Sequence, residues 1–378
     1  MNIAKPIYLD YAATTPVDQR VAVIMQHYLT QDEIFGNPTS RHFYGREANR
    51  AVEEAREHVA HYLQAHPSEI ILTSGATESN NLALKGAAHL YQRKGKHIVT
   101  MKTEHKSVLD TCQHLEKEGY SVTYLTPQAD GKINLNRFEE VLRQDTILVS
   151  VMHVNNETGV IQNIAAIADI TAQRGILFHV DAAQSIGKLL LSTRHILADL
   201  ISVSAHKVYG PKGIGALYLR KKPRVRVEPL IHGGGHEQGM RSGTLATHQI
   251  VGMGEAFRIA RDEIEQDEKI ITNLRNQFLQ ELRHIKNFKL NSKLDCTVPH
   301  ILNLCFENML ADVILEKLPN IATSTASACQ GKGVEGSYVL RAMGLNDEQV
   351  KSSIRFSFGR FTTQQEVDRA VKMMREIF

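Results

Sequence analysis

Between Gly45 and Val225 the chain alternates two kinds of hydrophobic spacing. GREANRAVEEAREHVAHYL carries Ala48, Val52, Ala55 and Val59 at intervals of three and four, which is one face of a helix. EIILTSG follows as a strand, then ESNNLALKGAAHLYQRKG as a helix ended by Gly95. The strands HIVTMKTEH, SVTYLTP, TILVSVMHVNN, ILFHVDAAQS and DLISVSAHK come next, mostly separated by helical segments such as VLDTCQHLEKEG and NIAAIADITAQRG. Their apolar runs are nearly continuous. The pattern predicts an α/β domain with a largely parallel sheet and helices on both faces.

The pattern then shifts. HGGGHEQGMRSGT, His232 to Thr244, is a glycine-rich loop, and a long helical stretch runs from it to about Glu281. HILNLCF, ADVILEKL, SSIRFSFGR and QQEVDRAVKMMREIF read as a smaller α+β domain. The predicted division is 16–260 for the large domain, with 1–15 and 261–378 forming the small one.

Composition adds exclusions. A chain of 378 residues is long for one core and suits two. The net charge of +3 gives no argument for nucleic acid or a membrane as main partner. Arg220, Lys221, Lys222, Arg224 and Arg226 form a local basic run, read as a solvated turn or a protein-docking patch. Cys112, Cys296, Cys305 and Cys329 lack CxxC or metal-ligand spacing, which argues against a disulfide framework and a zinc site. No leader-like N-terminus and no apolar run of about 20 residues is present, so a cytoplasmic protein is expected.

The chemistry gathers at strand ends. Ligands of open α/β sheets sit beyond the carboxyl ends of the strands. Here TSGATES, TEHK, HVNNETG, VDAAQS and SVSAHK supply Thr77, His105, Asn156, Asp181, Gln184, Ser204, His206 and Lys207. Lys207 ends an apolar run, where a lysine of lowered pKa can act as a nucleophile toward carbonyls. Pyridoxal 5'-phosphate (PLP) is the commonest user of that chemistry. It needs an acid at its ring nitrogen, and Asp181 is the candidate. It needs amides and hydroxyls around its phosphate, which Gly75, Thr77, Ser204 and His206 can offer at a helix start. His105 could stack on the ring and move protons, and Asn156 and Gln184 could bond its phenolic oxygen. Each residue alone also has a plain structural reading: a salt-bridged lysine, a helix cap, a satisfied histidine.

YLDYAATTP, FGNPTSRHFYG, TSGATESNN, KTEHKSVLDTC, VMHVNNETGV, HVDAAQSIGK, SAHKVYGPKGIGALY, HGGGHEQGMRSGT, TASACQ and SIRFSFGRFTT together resemble the cysteine desulfurases of the NifS/IscS type. The resemblance runs from Tyr8 to about Thr363. It implies PLP-dependent transferase fold type I, a large domain with a mostly parallel seven-stranded sheet plus a smaller α+β domain. It implies that Lys207 carries PLP as a Schiff base and that His105 stacks on the ring. Asp181 would pair with the ring nitrogen and Gln184 with the phenolic oxygen. Ala76, Thr77, Ser204 and His206 would hold the phosphate, with Thr244 reaching in from the other subunit of a homodimer. Asn156 and Arg355 would bind the substrate carboxylate. L-cysteine would yield L-alanine, with a persulfide on Cys329 and a nearby base such as His105 activating a thiol. Sulfur would pass to iron–sulfur scaffold or tRNA-thiolation proteins. Ala326, the QGKGVEG run and the end of the chain at Phe378 depart from the housekeeping members, which continue into a tail that docks the scaffold. Selenocysteine lyase and aminotransferase are sibling alternatives. A non-catalytic scaffold is a third.

Overall fold

The computed structural model describes residues 5–285, 288–325 and 336–378. The expected persulfide carrier Cys329 and the neighbouring Ala326 lie outside them. Strand β1 (Ile7–Tyr8) and helices α1 (Gln19–Gln26) and α2 (Phe43–Leu63) come first. Strands β2 (Ile70–Thr73), β3 (His97–Met101), β4 (Ser121–Leu125), β5 (Thr146–Met152), β6 (Leu177–Asp181), β7 (Leu200–Ser204) and β8 (Gly215–Leu219) form one sheet. Its order is β2-β8-β7-β6-β5-β3-β4. Neighbours are parallel except β8, which runs antiparallel to both β2 and β7.

Successive strand residues point to opposite faces. Ile71, Ile98, Leu148 and Leu200 pack under helices α3 (Ala76–Tyr91) and α4 (Lys106–Lys117). Leu72, Val99, Val149 and Ile201 pack under α2, α5 (Leu135–Val141) and α6 (Ile164–Gln173). Ala48, Val52, Ala55 and Val59, the face read from α2, are all buried there.

Three sequence boundaries move. Helix α3 ends at Tyr91, not at Gly95. Gly95 is instead a packing residue, because a Cβ there would run into the backbone of Asp145. The strands read through KTEH and HVNN stop at Met101 and Met152. Where β3 turns away, the Glu104 carboxylate takes the Met152 N–H at 2.9 Å in place of a strand partner.

Helix α7 (Thr247–Leu282) runs unbroken across residue 260. Its first half buries Met253, Ala256 and Phe257 in the core of the large sheet. Its second half buries Ile271, Leu274 and Phe278 with Ile7, Leu9, Phe306 and Phe356. That second core covers a four-stranded antiparallel sheet of β9 (Phe288–Leu290), β10 (Ile301–Phe306), β12 (Ser324–Thr325) and β13 (Ser353–Ser357), in the order β12-β13-β10-β9. Strand β11 (Ile321–Ala322) pairs in parallel with β1, which ties the N-terminal segment to the small sheet.

The glycine-rich loop is anchored by a buried ion pair. Arg56 on α2 donates to both oxygens of Glu237, at 2.7 and 2.9 Å, and to the Ile70 carbonyl. Glu237 also accepts the Leu72 N–H at 2.7 Å. Both side chains are buried, so removing one partner strands the other's charge. Glu237→Ala is expected to cost about 3–5 kcal/mol of stability, read as a lowered urea midpoint. Truncating the exposed partner of Arg56, as Glu53→Ala, should cost less than about 1 kcal/mol.

Candidate active site

A cavity of about 560 Å³ opens at the carboxyl ends of the central strands. The turns after β2, β3, β5, β6 and β7 each deliver side chains to it. After β2 the backbone passes through Gly75, at φ 148°, a conformation that favours glycine. Gly215 lets that turn lie against the sheet, since a Cβ there would be 2.7 Å from the Gly75 Cα. The result is an uncapped start to α3, with Ala76 and Thr77 lining the cavity. Their backbone N–H groups and the positive end of the helix favour an anion. Ser204 and His206 line the same cavity. Burial, with Lys207, Lys212 and Lys188 nearby, pushes His206 down to about 4, so its ring is neutral. Its Nδ1 lies 3.1 Å from the Thr14 hydroxyl. Glu78, also on the rim, is held by Arg241 of the glycine-rich loop at 2.9 Å and takes the Ser74 N–H.

Lys207 closes the short turn Ala205–Lys207 after β7. Its Nζ donates to the carbonyls of Ala12 and Ala13 at 2.6 and 2.8 Å. Gln184 donates to the same Ala12 carbonyl at 2.7 Å. Asp181 ends β6 and is 4% exposed. One of its oxygens accepts from Asn80 Nδ2 at 2.8 Å and the other from the Ala183 N–H at 3.0 Å. His105 caps α4 by accepting the Ser107 N–H at Nδ1. Burial holds the ring below its usual range, Asp181 and Asp110 oppose that shift, and Lys207 adds to it.

Arg355, on β13, reaches the same cavity from the small sheet. Its Nη1 donates to the Asn156 carbonyl at 2.8 Å and its Nη2 to Asp10 at 2.7 Å. Asp10 also accepts from Ser324.

The cavity therefore gathers Ala76, Thr77, His105, Asn156, Asp181, Gln184, Ser204, His206, Lys207 and Arg355. Thr244 is exposed and lies outside it. The residues fit PLP on chemical grounds. Asn156 Oδ1 and Gln184 Oε1 are buried polar atoms at the cavity wall without a partner among the described residues. Such atoms are costly unless a ligand meets them. The donor set combines an anion-binding helix start, a buried carboxylate and an amine in one cavity. No group of side chains suited to a metal ion occurs among the described residues.

Sequence reasoning missed Asn80, Ser107 and Asp10. All three sit inside motifs already quoted, but Asn80 and Ser107 lie within helices and Asp10 follows β1, outside the large sheet. Asn80 is one turn into α3, a position that the strand-end rule does not reach.

Residues 7–370 match the description of the family "Aminotransferase class-V". The chain belongs to that family. It is 57% identical over 371 residues to the cysteine desulfurase IscS of Vibrio vulnificus (strain YJ016), covering 98% of this chain and 92% of the relative. It is 56% identical over 372 residues to the IscS of Salmonella schwarzengrund, with the same coverage. A solved NifS-like protein superimposes with a TM-score of 0.92 at 38% identity, covering 98% of this chain and 99% of that one. A structure described as SspA in complex with cysteine gives 0.84 at 39%, covering 94% and 99%. Within the class-V family the chain is a cysteine desulfurase of the IscS type.

One buried acid beside the site carries a pH signature. Glu157 follows Asn156 and accepts from the Ser337 hydroxyl. Burial pushes it up to about 7, against the opposing charge of Arg355. Between about pH 4.5 and 7 the folded chain keeps a proton that the unfolded chain releases. Its contribution is therefore fully present at low pH and is lost as pH rises through 7. Glu157→Gln keeps the contact without the proton. Urea midpoints taken from pH 5 to 8 are expected to show the wild type losing up to roughly 3 kcal/mol relative to Glu157→Gln.

Proposed function

We propose that this chain converts L-cysteine to L-alanine with PLP held at Lys207, and leaves the sulfur as a persulfide on Cys329. The observation that carries the proposal is the shared cavity. An amine (Lys207), a buried carboxylate (Asp181) and the open start of α3 line it together, with Arg355 at the side.

The roles follow from the chemistry of each group. The start of α3, with Thr77, Ser204 and His206, binds the phosphate, and Asp181 holds a proton on the ring nitrogen. His105 packs against the ring, while Gln184 meets its phenolic oxygen. When bound, PLP supplies covalent capture of the substrate amine and withdraws electrons from its Cα. Arg355 and Asn156 hold the substrate carboxylate; the guanidinium fork suits that task. Lys207 Nζ takes the Cα proton. The Cys329 thiolate then attacks the substrate sulfur. An S–S bond forms as the carbon–sulfur bond breaks, the electron pair stays with carbon, and protonation of that carbon together with return of the proton from Lys207 Nζ to Cα gives alanine.

We further propose a cytoplasmic homodimer in which Thr244 serves the cavity of the other subunit. Its exposure away from its own cavity supports this. The persulfide would feed iron–sulfur scaffold or tRNA-thiolation acceptors. Among the described residues no helix is long and apolar enough to cross a membrane.

The test supplies PLP, L-cysteine and a thiol reductant. Alanine and sulfide are expected in equal amounts. Lys207→Ala should abolish both, and Cys329→Ser should abolish sulfide release while cofactor binding persists. Transfer of the amino group to a keto acid without sulfide would reject the proposal in favour of an aminotransferase. Arg355→Lys is expected to raise KM for L-cysteine on the order of tenfold, from loss of charge-assisted hydrogen bonds.

A further inference from the structure

We propose that Asn80 is a positioning residue that anchors Asp181 and, through Ser107, fixes His105 as the tautomer with its proton on Nε2. The proposal rests on the desulfurase reading above and adds a direction to one of its residues.

Asn80 lies on α3 and is fully buried. Its Nδ2 is 2.8 Å from Asp181 Oδ2 and 2.8 Å from Ser107 Oγ. A carboxylate only accepts, so the amide nitrogen must face it. Both amide hydrogens are then used, one on each oxygen. Asn80 Oδ1 is left buried without a partner among the described residues. Flipping the amide would set that oxygen against the carboxylate.

The direction then propagates. Ser107 Oγ accepts from Asn80, so its own hydrogen is available to His105 Nδ1, 2.8 Å away. The Ser107 N–H donates to the same nitrogen at 3.1 Å. Two donors converge on Nδ1, which must therefore present its lone pair. The proton of the neutral ring sits on Nε2. Protonating the ring would add a third hydrogen to that crowded nitrogen. The direction of the shift agrees: His105 is held below its usual range by burial and by Lys207, against Asp181 and Asp110.

The consequence is chemical. A neutral His105 offers an N–H to a ligand in the cavity, not a lone pair. It serves as a hydrogen-bond donor or acid toward the substrate and does not take the thiol proton through Nε2. An amide cannot titrate, so Asn80 passes this polarity from Asp181 without adding a charge of its own.

The test uses protein labelled with ¹⁵N at histidine, first without PLP. Long-range ¹H–¹⁵N correlation reads each ring's tautomer, and His105→Gln assigns the signal. At pH 7 to 8 the wild type should show His105 protonated at Nε2. Asn80→Ala and Ser107→Ala should each introduce a population protonated at Nδ1. Near-UV circular dichroism confirms that each variant is folded, and Ser107→Ala removes only one hydroxyl should Asn80→Ala fail to fold. In the loaded enzyme Asn80→Ala should lower kcat about tenfold or more, with a smaller change in KM. A wild-type proton on Nδ1, or an unchanged tautomer in the folded variants, would overturn the proposal. Absence of alanine from the wild type would instead reject the desulfurase reading and leave the tautomer result standing.

Discussion

The Asp181 carboxylate is the constraint from which the site can be reasoned outward. It is almost fully buried and makes no ion pair among the described residues. Its two oxygens are met by an amide and a backbone N–H, both neutral. A buried anion held only by neutral donors is costly unless a cation joins it. A protonated pyridine ring is such a cation. The anion-binding start of α3 and the amine of Lys207 line the same cavity, as a ligand carrying both a phosphate and an aldehyde requires.

The N-terminal segment ties this site to the small sheet. Ala12 and Ala13 offer carbonyls to Lys207, and Ala12 also receives Gln184. Two residues earlier, Asp10 holds Arg355. One short stretch therefore sets the resting position of the amine and the aim of the guanidinium. Substrate entering between them would exchange these contacts for its own, so binding and release are coupled to the same few residues.

Much of this was legible in the sequence because the fold places it by rule. Parallel strands end on one edge, and polar residues after apolar runs mark that edge. Asp181, Ser204 and Lys207 stand at such ends, and all three line the cavity. The helix face of α2 was read from its spacing. Asn80 was not found, because a buried polar residue inside a helix has the same sequence signature as a surface one. Gly95 was misread for a related reason. A glycine after a helical run signals a stop, yet here it answers to the Asp145 backbone, a neighbour distant in sequence. The strand-end residues of KTEH and HVNN belong to turns because a side chain, Glu104, replaces the missing strand partner. Contacts of that kind are not encoded in any local pattern.

Helix α7 has 36 residues, which makes it roughly 54 Å long at 1.5 Å per residue. It enters both hydrophobic cores without a break. A shaft clamped at both ends does not pivot at its middle; it can only bow or twist as a whole. Arg355 stands on the far lobe and Lys207 on the near one, so the stiffness of this rod adds to the hold of the N-terminal segment on their spacing. Partial melting of either lobe would pull the seating from beneath the other, and the two should come apart together on heating.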